Sequence, residues 1–394
     1  MDLKKLLDKN YDHALNLRKF FHENPELSSK EFDTTKKIRE ELEAVGIEVL
    51  DLGLKTGVVG KLVCGDGKKV LAIREDIDAL PIVEDTELDF KSKNEGVSHS
   101  CGHDIHTAVL IYVARILAEL KDKFNGTILF IFQPAEEVAL GAKEILSTGI
   151  FDKYEVDTLL GLHCSPEIDV GKLGLIRGPA NASTDIVAID VKGQGGHGAH
   201  PYRAIDPIVT SAYLIAQLQT VMSRENLPTA PGVLTIGSIH GGSAPNVIPD
   251  VVKLEGTLRS LDHEYRDKDK EAIVRICKLC TQSFRADCDV RFYHSLPPLI
   301  NSVETIDLLE ESIIELFGEE AIHNIKAPSM GSDDFAVLLE NCKYGAQFRL
   351  GTGIDEDKNT RYGLHNAKNV FKSESIYYGA GAICQFVLNF FKGG

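Results

Sequence analysis

The sequence predicts an α/β fold: a mostly parallel sheet covered by helices, with a ferredoxin-like α+β domain inserted into it. Three observations lead there. Residues 70–74, 127–132 and 158–162 are short, nearly continuous apolar runs, too apolar to face water on either side, and stretches with helical character lie between them. From residue 185 the order changes to strand, helix, strand, strand, helix, strand, the pattern of a compact ferredoxin-like unit. A chain of 394 residues also exceeds one typical core.

Taken in order, residues 12–46 have helical periodicity through Leu15, Leu17, Phe20, Phe21, Ile38, Leu42 and Val45, broken at Pro25, which predicts two packed helices. The strand at 70–74 is followed by a helix over 104–121 that is apolar almost all round. A strand at 127–132, a short helix at 141–147 and a strand at 158–162 come next. The inserted unit reads as a strand at 186–191, a helix at 205–223, strands at 233–239 and 251–258, a helix at 264–284 and a strand at 290–294. Gly178-Pro179 and Pro297-Pro298 flank it, so residues 1–180 and 295–394 are assigned to one domain and 181–294 to the insertion. A helix at 305–317, a strand at 347–350 and a helix at 376–391 complete the larger domain.

A net charge of −16 argues against a nucleic-acid partner, which needs clustered Lys and Arg. The first residues are charged throughout, with no apolar signal segment, and no run approaches the ~18 apolar residues of a membrane span. Eight cysteines dispersed along the chain do not resemble a disulfide framework, so the expectation is a reduced, cytoplasmic protein with no membrane partner.

The chemistry concentrates in residues 98–106, where His99, Cys101, His103 and His106 precede the apolar helix. Three predicted strand ends carry further unusual side chains: Arg74, Glu75, Asp76 and Asp78; then Gln133, Glu136 and Glu137; then His163 and Cys164. Parallel strands bring such ends to one edge, where α/β proteins bind ligands. Buried acidic pairs are costly unless they meet cations or protons, and Cys101, His103, Glu137 and His163 are suitable ligand types for a borderline divalent ion. Paired glutamates allow one to hold metal and the other to take a proton. The competing readings are carboxylates at a helix N-terminus and a core histidine.

Other signals weigh less. Gly193, Gly195 and Gly198 satisfy a dinucleotide-loop spacing, but Pro201 follows at once and no acidic strand end comes ~20 residues later. Cys277 and Cys280 lack the second pair of a zinc module and read as one buried helix face. A thiol hydrolase built on Cys101 and His103 leaves Glu136, Glu137 and His163 unexplained.

The phrases LAIREDIDALPIVE, SHSCGHDIHTA, FIFQPAEE, GLHCSPE, KGQGGHGAHPYRAIDPI, GGSAPNVIPD, MGSDDFA and GLHNAKNVF resemble, in order and over nearly the whole chain, the co-catalytic metallopeptidases, above all their N-acyl-amino-acid amidohydrolase branch. The resemblance implies two divalent metal ions, zinc or manganese with cobalt or nickel also compatible, held by Cys101, His103, Glu137, His163 and His365. Cys101 would bridge them as a thiolate. It implies Glu136 as general base, His197 as a transition-state donor reaching the opposite subunit of a homodimer, and Asn246 and Arg259 as substrate contacts. Other members have a His-x-Asp motif where this chain has Arg74-Glu75-Asp76, so Arg74 is not assigned as a ligand and Asp76 and Asp78 are left as candidates for orienting the ligands. Arg259, or the backbone at Gly351 and Thr352, would hold the substrate carboxylate. The implied activity is hydrolysis of N-acyl-L-amino acids; a dipeptidase or carboxypeptidase of the same fold, or a binding relative without catalysis, are the alternatives.

Overall fold

The computed structural model describes residues 2–392. Helix α1 (Leu3–Glu23) and helix α2 (Phe32–Ala44) open the chain. Strands β1 (Glu48–Val49), β2 (Val58–Cys64), β3 (Val70–Asp76), helix α3 (His103–Glu119), β4 (Gly126–Gln133), β5 (Thr158–Asp169) and β6 (Leu173–Leu175) follow. The chain divides into two compact units. One comprises Met1–Gly178, Asn301–Ala327 and Asp334–Gly394; the other comprises Pro179–Ile300 and Pro328–Asp333.

The first unit is built on an eight-stranded sheet in the order β1, β2, β4, β3, β5, Tyr344–Gly353, β6, Ile322–Asn324. Its centre is parallel, β4 with β3, β3 with β5, and β5 with Tyr344–Gly353, whereas β1, β2 and β6 add antiparallel pairs. Neither β1 nor β2 is anticipated from sequence. The central strands are buried on both faces: all seven residues of β3 are buried, including Arg74, Glu75 and Asp76. Helix α3 is buried on nearly every side and packs against α1, the sheet and the final helix, Ser375–Lys392.

Strand β5 runs on to Asp169, seven residues past the expected end, because Tyr344–Gly353 pairs with it as far as Asp169. On its other side β3 pairs only from Leu71↔Thr158 to Ile73↔Leu160. Beyond Leu160 the lost ladder is replaced by side chains: Leu162 N–H donates to Glu75 Oε1 (3.0 Å) and Cys164 N–H to His106 Nε2 (2.9 Å). His163 therefore lies mid-strand with Arg349 paired on one edge and no β3 partner on the other.

The second unit has a four-stranded antiparallel sheet in the order Gly232–His240, Val251–Ser260, Thr184–Lys192, Asp287–Leu296, with helices Pro207–Thr220 and His263–Ser283. Strict alternation of burial along Val251–Ser260 marks a sheet with one covered face. Under it pack Val187, Ile189, Leu218, Leu254, Ile273 and Cys277. Residues 328–333 join this unit through Ser329 N–H to Ala180 O (2.9 Å) and Ala182 N–H to Ser329 O (3.0 Å), pairings that lie too far apart in the chain for spacing to reveal. The Gly193–Gly198 loop forms a two-stranded ribbon, Gly196–His197 against Val247–Ile248, and opens no helix N-terminus for a phosphate. Among the described residues no helix is long and apolar enough to cross a membrane.

Leu110 is fully buried in α3, so Leu110→Ala is expected to destabilise the first unit by about 2–5 kcal/mol, the usual cost of such a cavity. Denaturant titration checks this, with the exposed Val83→Ala, expected within ~0.5 kcal/mol of wild type, as control.

Candidate metal centre

Gly102 allows the loop carrying Cys101 to enter α3. Its φ of 90° lies in the left-handed region, and an added Cβ would come within 2.9 Å of Cys164 Sγ. The loop thus packs on β5 and delivers Cys101 beside His163, with Cys101 Sγ 3.7 Å from His163 Nε2. His103 occupies the first turn of α3. Its Nδ1 donates to the carbonyl of Asp78 (2.9 Å), which leaves the lone pair on Nε2 facing the site. The same device acts on His163, whose Nδ1 donates to Cys164 O (2.8 Å). Two histidines are therefore held as the tautomer that offers Nε2 to a metal.

The turn after β4 brings in the glutamates. Glu137 Oε2 lies 3.3 Å from His365 Nε2, and its Oε1 lies 3.9 Å from His103 Nε2. Glu136 Oε1 receives a long hydrogen bond (3.5 Å) from the backbone N–H of Asp334. His365 has a left-handed φ of 63°, and its N–H donates to Ser100 O (2.9 Å), so a strained residue is tied directly to the Cys101 loop.

Ligand-type atoms come within 4.8 Å of one another in overlapping sets: Cys101, His103 and His163; Cys101, Glu137 and His365; His103, Glu136 and Glu137. Cys101 is common to the first two. His103 Nε2 and Glu137 Oε1 are buried and have no hydrogen-bond partner among the described residues. Burial pushes the Cys101 thiol well above its usual range, so a cation is needed to hold it as thiolate. Orphaned buried acceptors around a buried thiol fit a pair of divalent ions.

Peptidase family M20/M25/M40 matches this sequence over residues 72–389. The chain belongs to that family. It is 39% identical to the N-acetyl-L-cysteine deacetylase of Bacillus subtilis over 87% of this chain and 81% of the relative. It is 38% identical to the hippurate hydrolase of Campylobacter jejuni over 95% of this chain and 96% of the relative. The crystal structure of the Bacillus subtilis YXEP protein, described as a dinuclear metal-binding peptidase of the M20 family, superimposes with a TM-score of 0.84 at 32% identity, covering 98% of this chain and 99% of that one.

For this peptidase-family chain the structure brings Cys101, His103, Glu136, Glu137, His163 and His365 together. His106 is engaged elsewhere: Nδ1 donates to Asp76 Oδ1 (2.6 Å) and Nε2 accepts from Cys164, so it offers no lone pair to an ion. His99 is buried with neither ring nitrogen hydrogen-bonded among the described residues, and burial pushes its pKa down to about 4. Arg74 joins Gln133, Asp76 and Asp334 through its three guanidinium nitrogens at 2.7–2.8 Å, and is a tether, not a ligand.

In the second unit, His197 is exposed and its Nδ1 accepts from Ala199 N–H (3.1 Å), so the neutral ring carries its proton on Nε2. Asn246 adjoins it, its carbonyl accepting from Gly198 N–H (2.8 Å). Arg259 is half-buried and Nη1 donates to Ser332 Oγ (3.1 Å). Gly351 and Thr352, whose backbone was expected to hold a carboxylate, lie in the strand Tyr344–Gly353. Gly351 N–H already donates to Lys172 O (3.0 Å), Thr352 O accepts from Lys372 N–H (3.1 Å), and both residues are buried in the sheet.

Sequence reading missed one buried network. Arg18 Nε donates to Asp104 Oδ2 (3.1 Å), and His22 bridges Asp104 (2.9 Å) and Glu84 (3.1 Å). No spacing rule links residues 18, 22, 84 and 104. Burial disfavours the His22 imidazolium, but Asp104 and Glu84 outweigh it and raise the pKa from 6.5 to about 9. A raised folded-state pKa stabilises fully below about 6.5 and loses that contribution as pH rises through about 9, a change on the order of 3 kcal/mol. The stability difference between wild type and His22→Gln should shrink over this window, as measured by denaturant titration at fixed metal concentration.

Proposed function

We propose that this chain is a two-metal amidohydrolase that cleaves N-acyl-L-amino acids to a carboxylate and a free amino acid. The supporting observation is the convergence of Cys101, His103, Glu137, His163 and His365 with Glu136 beside them. Those five residues would hold the ions. Ions bound there polarise the scissile carbonyl and acidify water. Glu136 takes the proton of the attacking water as the C–O bond forms, then returns it to the nitrogen as the C–N bond breaks. His197 donates Nε2–H to the developing oxyanion, the role its tautomer suits. Arg259 offers the substrate carboxylate a planar fork, and Asn246 holds the adjoining amide.

The native metal is assigned as zinc or manganese, since the mixed thiolate, imidazole and carboxylate set suits both, with cobalt and nickel as substitutes. All eight cysteines are unpaired, in keeping with a reducing cytoplasm as the site of action. The protein is taken to work as a homodimer, the second unit serving as lid and dimerisation domain and supplying His197 to the neighbouring subunit's site.

The direct test is a panel of N-acetyl, N-benzoyl and indole-acetyl amino acids alongside dipeptides. N-acyl amino acids should be turned over, turnover should stop with chelator and return with divalent metal; faster dipeptide cleavage assigns a peptidase instead. Within it, Glu136→Gln should keep its metal and lose ~10²–10⁴-fold in kcat. Glu137→Gln should lose metal by elemental analysis, and equal metal loss in both variants contradicts the division of roles.

Glu136→Ala and His197→Ala chains, each inactive alone, should regain activity when co-expressed. Random pairing makes about half the dimers mixed and restores about a quarter of all sites. Purified mixed dimers as inactive as either parent would rule out a shared site.

A further inference from the structure

The turn that carries the two glutamates is strained and is held by a carboxylate remote in sequence. Ala135, just before Glu136, has a left-handed φ of 53°, a conformation that L side chains avoid. Its carbonyl accepts from the N–H groups of Leu140 and Gly141 (both 3.2 Å). Close packing leaves the turn little room: a Cβ on Gly141 would lie 1.6 Å from Pro134 O, and one on Gly57 would lie 2.6 Å from Pro134 Cδ. Ala135 N–H donates to Glu31 Oε1 at 2.9 Å. Glu31 is fully buried in the connection between α1 and α2, and the same oxygen accepts from Ser29 N–H (2.9 Å), itself at a left-handed φ of 61°.

We propose that Glu31 is a positioning residue for general-base catalysis: it straps Ala135 in the left-handed conformation that sends Glu136 and Glu137 to different tasks. This rests on the reading of Glu136 given above. With Ala135 strained, Glu137 faces Cys101 and His365 while Glu136 meets the N–H of Asp334. Released, Ala135 relaxes toward ordinary helical or extended backbone and carries Glu136 away. Glu137 has a separate hold, because its own N–H donates to Asp78 Oδ2 (3.1 Å), which also accepts from Ser28 Oγ (2.6 Å). Losing Glu31 should therefore cost the proton-transfer step and spare metal retention. Burial raises the Glu31 carboxyl, and what the strap uses is an acceptor oxygen at the right reach, not a charge.

Three variants test this: Glu31→Ala, Glu31→Asp and Glu31→Gln, assayed with the best N-acyl amino acid of the panel and analysed for metal. Ala and Asp should lower kcat ~10–100-fold with KM within about threefold and metal content unchanged, whereas Gln, whose amide oxygen reaches Ala135 N–H, should stay within about threefold of wild type. A merely structural role would lower the folded fraction or metal content instead, with normal kcat per folded, metal-loaded site. The inference is overturned if Ala keeps wild-type kcat, if Gln falls as far as Ala, or if activity is lost in step with metal. Should Ala fail to fold, Gln against Asp decides: equal activities, or a better Asp, overturn it. Glu136→Gln run in parallel separates the two readings. Full activity in that variant defeats the general-base assignment itself; its inactivity beside an unimpaired Glu31→Ala defeats the strap alone.

Discussion

A carboxylate sealed from water at the end of a parallel strand is the constraint on which the rest of the site depends. Asp76 is fully buried, and a lone buried carboxylate costs several kcal/mol. Burial alone would raise its pKa, yet His103, Arg74 and His106 together hold it well below the usual range. Arg74 Nη1 is 2.7 Å from Oδ2, and His106 Nδ1 is 2.6 Å from Oδ1. Each of these partners has a second task. Arg74 reaches Asp334, His106 caps the open backbone of β5 at Cys164, and His103 turns Nε2 toward the cluster. The charge balance of one buried group thereby links β3, β4, β5 and the start of α3.

That network also explains how a site of flexible side chains is presented in one arrangement. Backbone carbonyls set the tautomers of His103 and His163, so the lone pairs converge without any side-chain search. Asp334 extends the same order to the glutamate turn: it accepts from Gln133 Nε2 and Ala142 N–H while its own N–H meets Glu136. Side chains on a rigid helix start and a mid-strand position are better fixed than side chains on loops alone. The left-handed residues Ala135 and His365 are where the loops carry strain to complete the set.

The two units divide the chemistry by kind. The first holds the buried cluster of thiol, imidazole and carboxylate groups; the second holds the exposed His197 and Asn246 and the half-buried Arg259.

Much of this was legible in the sequence. Apolar runs fully buried in a sheet need no alternation, so β3, β4 and β5 and the helix between them could be read from composition alone, as could the β-α-β-β-α-β insertion. Cys101, His103, Glu136, Glu137 and His163 stood out because ionisable groups rarely follow such runs, while His365 was reached only through the resemblance to a known family. What the tertiary structure decided is everything set by partners distant in the chain: the edge strands β1 and β2, the extension of β5 and the attachment of residues 328–333. It also decided which histidines of the 99–106 segment face the cluster, and it disclosed Glu31, Arg18 and His22, whose surroundings are ordinary in sequence. The physical reason is common to all of these. Burial periodicity is local and survives in one dimension, whereas hydrogen-bond satisfaction of a buried charge depends on which distant backbone happens to lie within 3 Å, which folding alone determines.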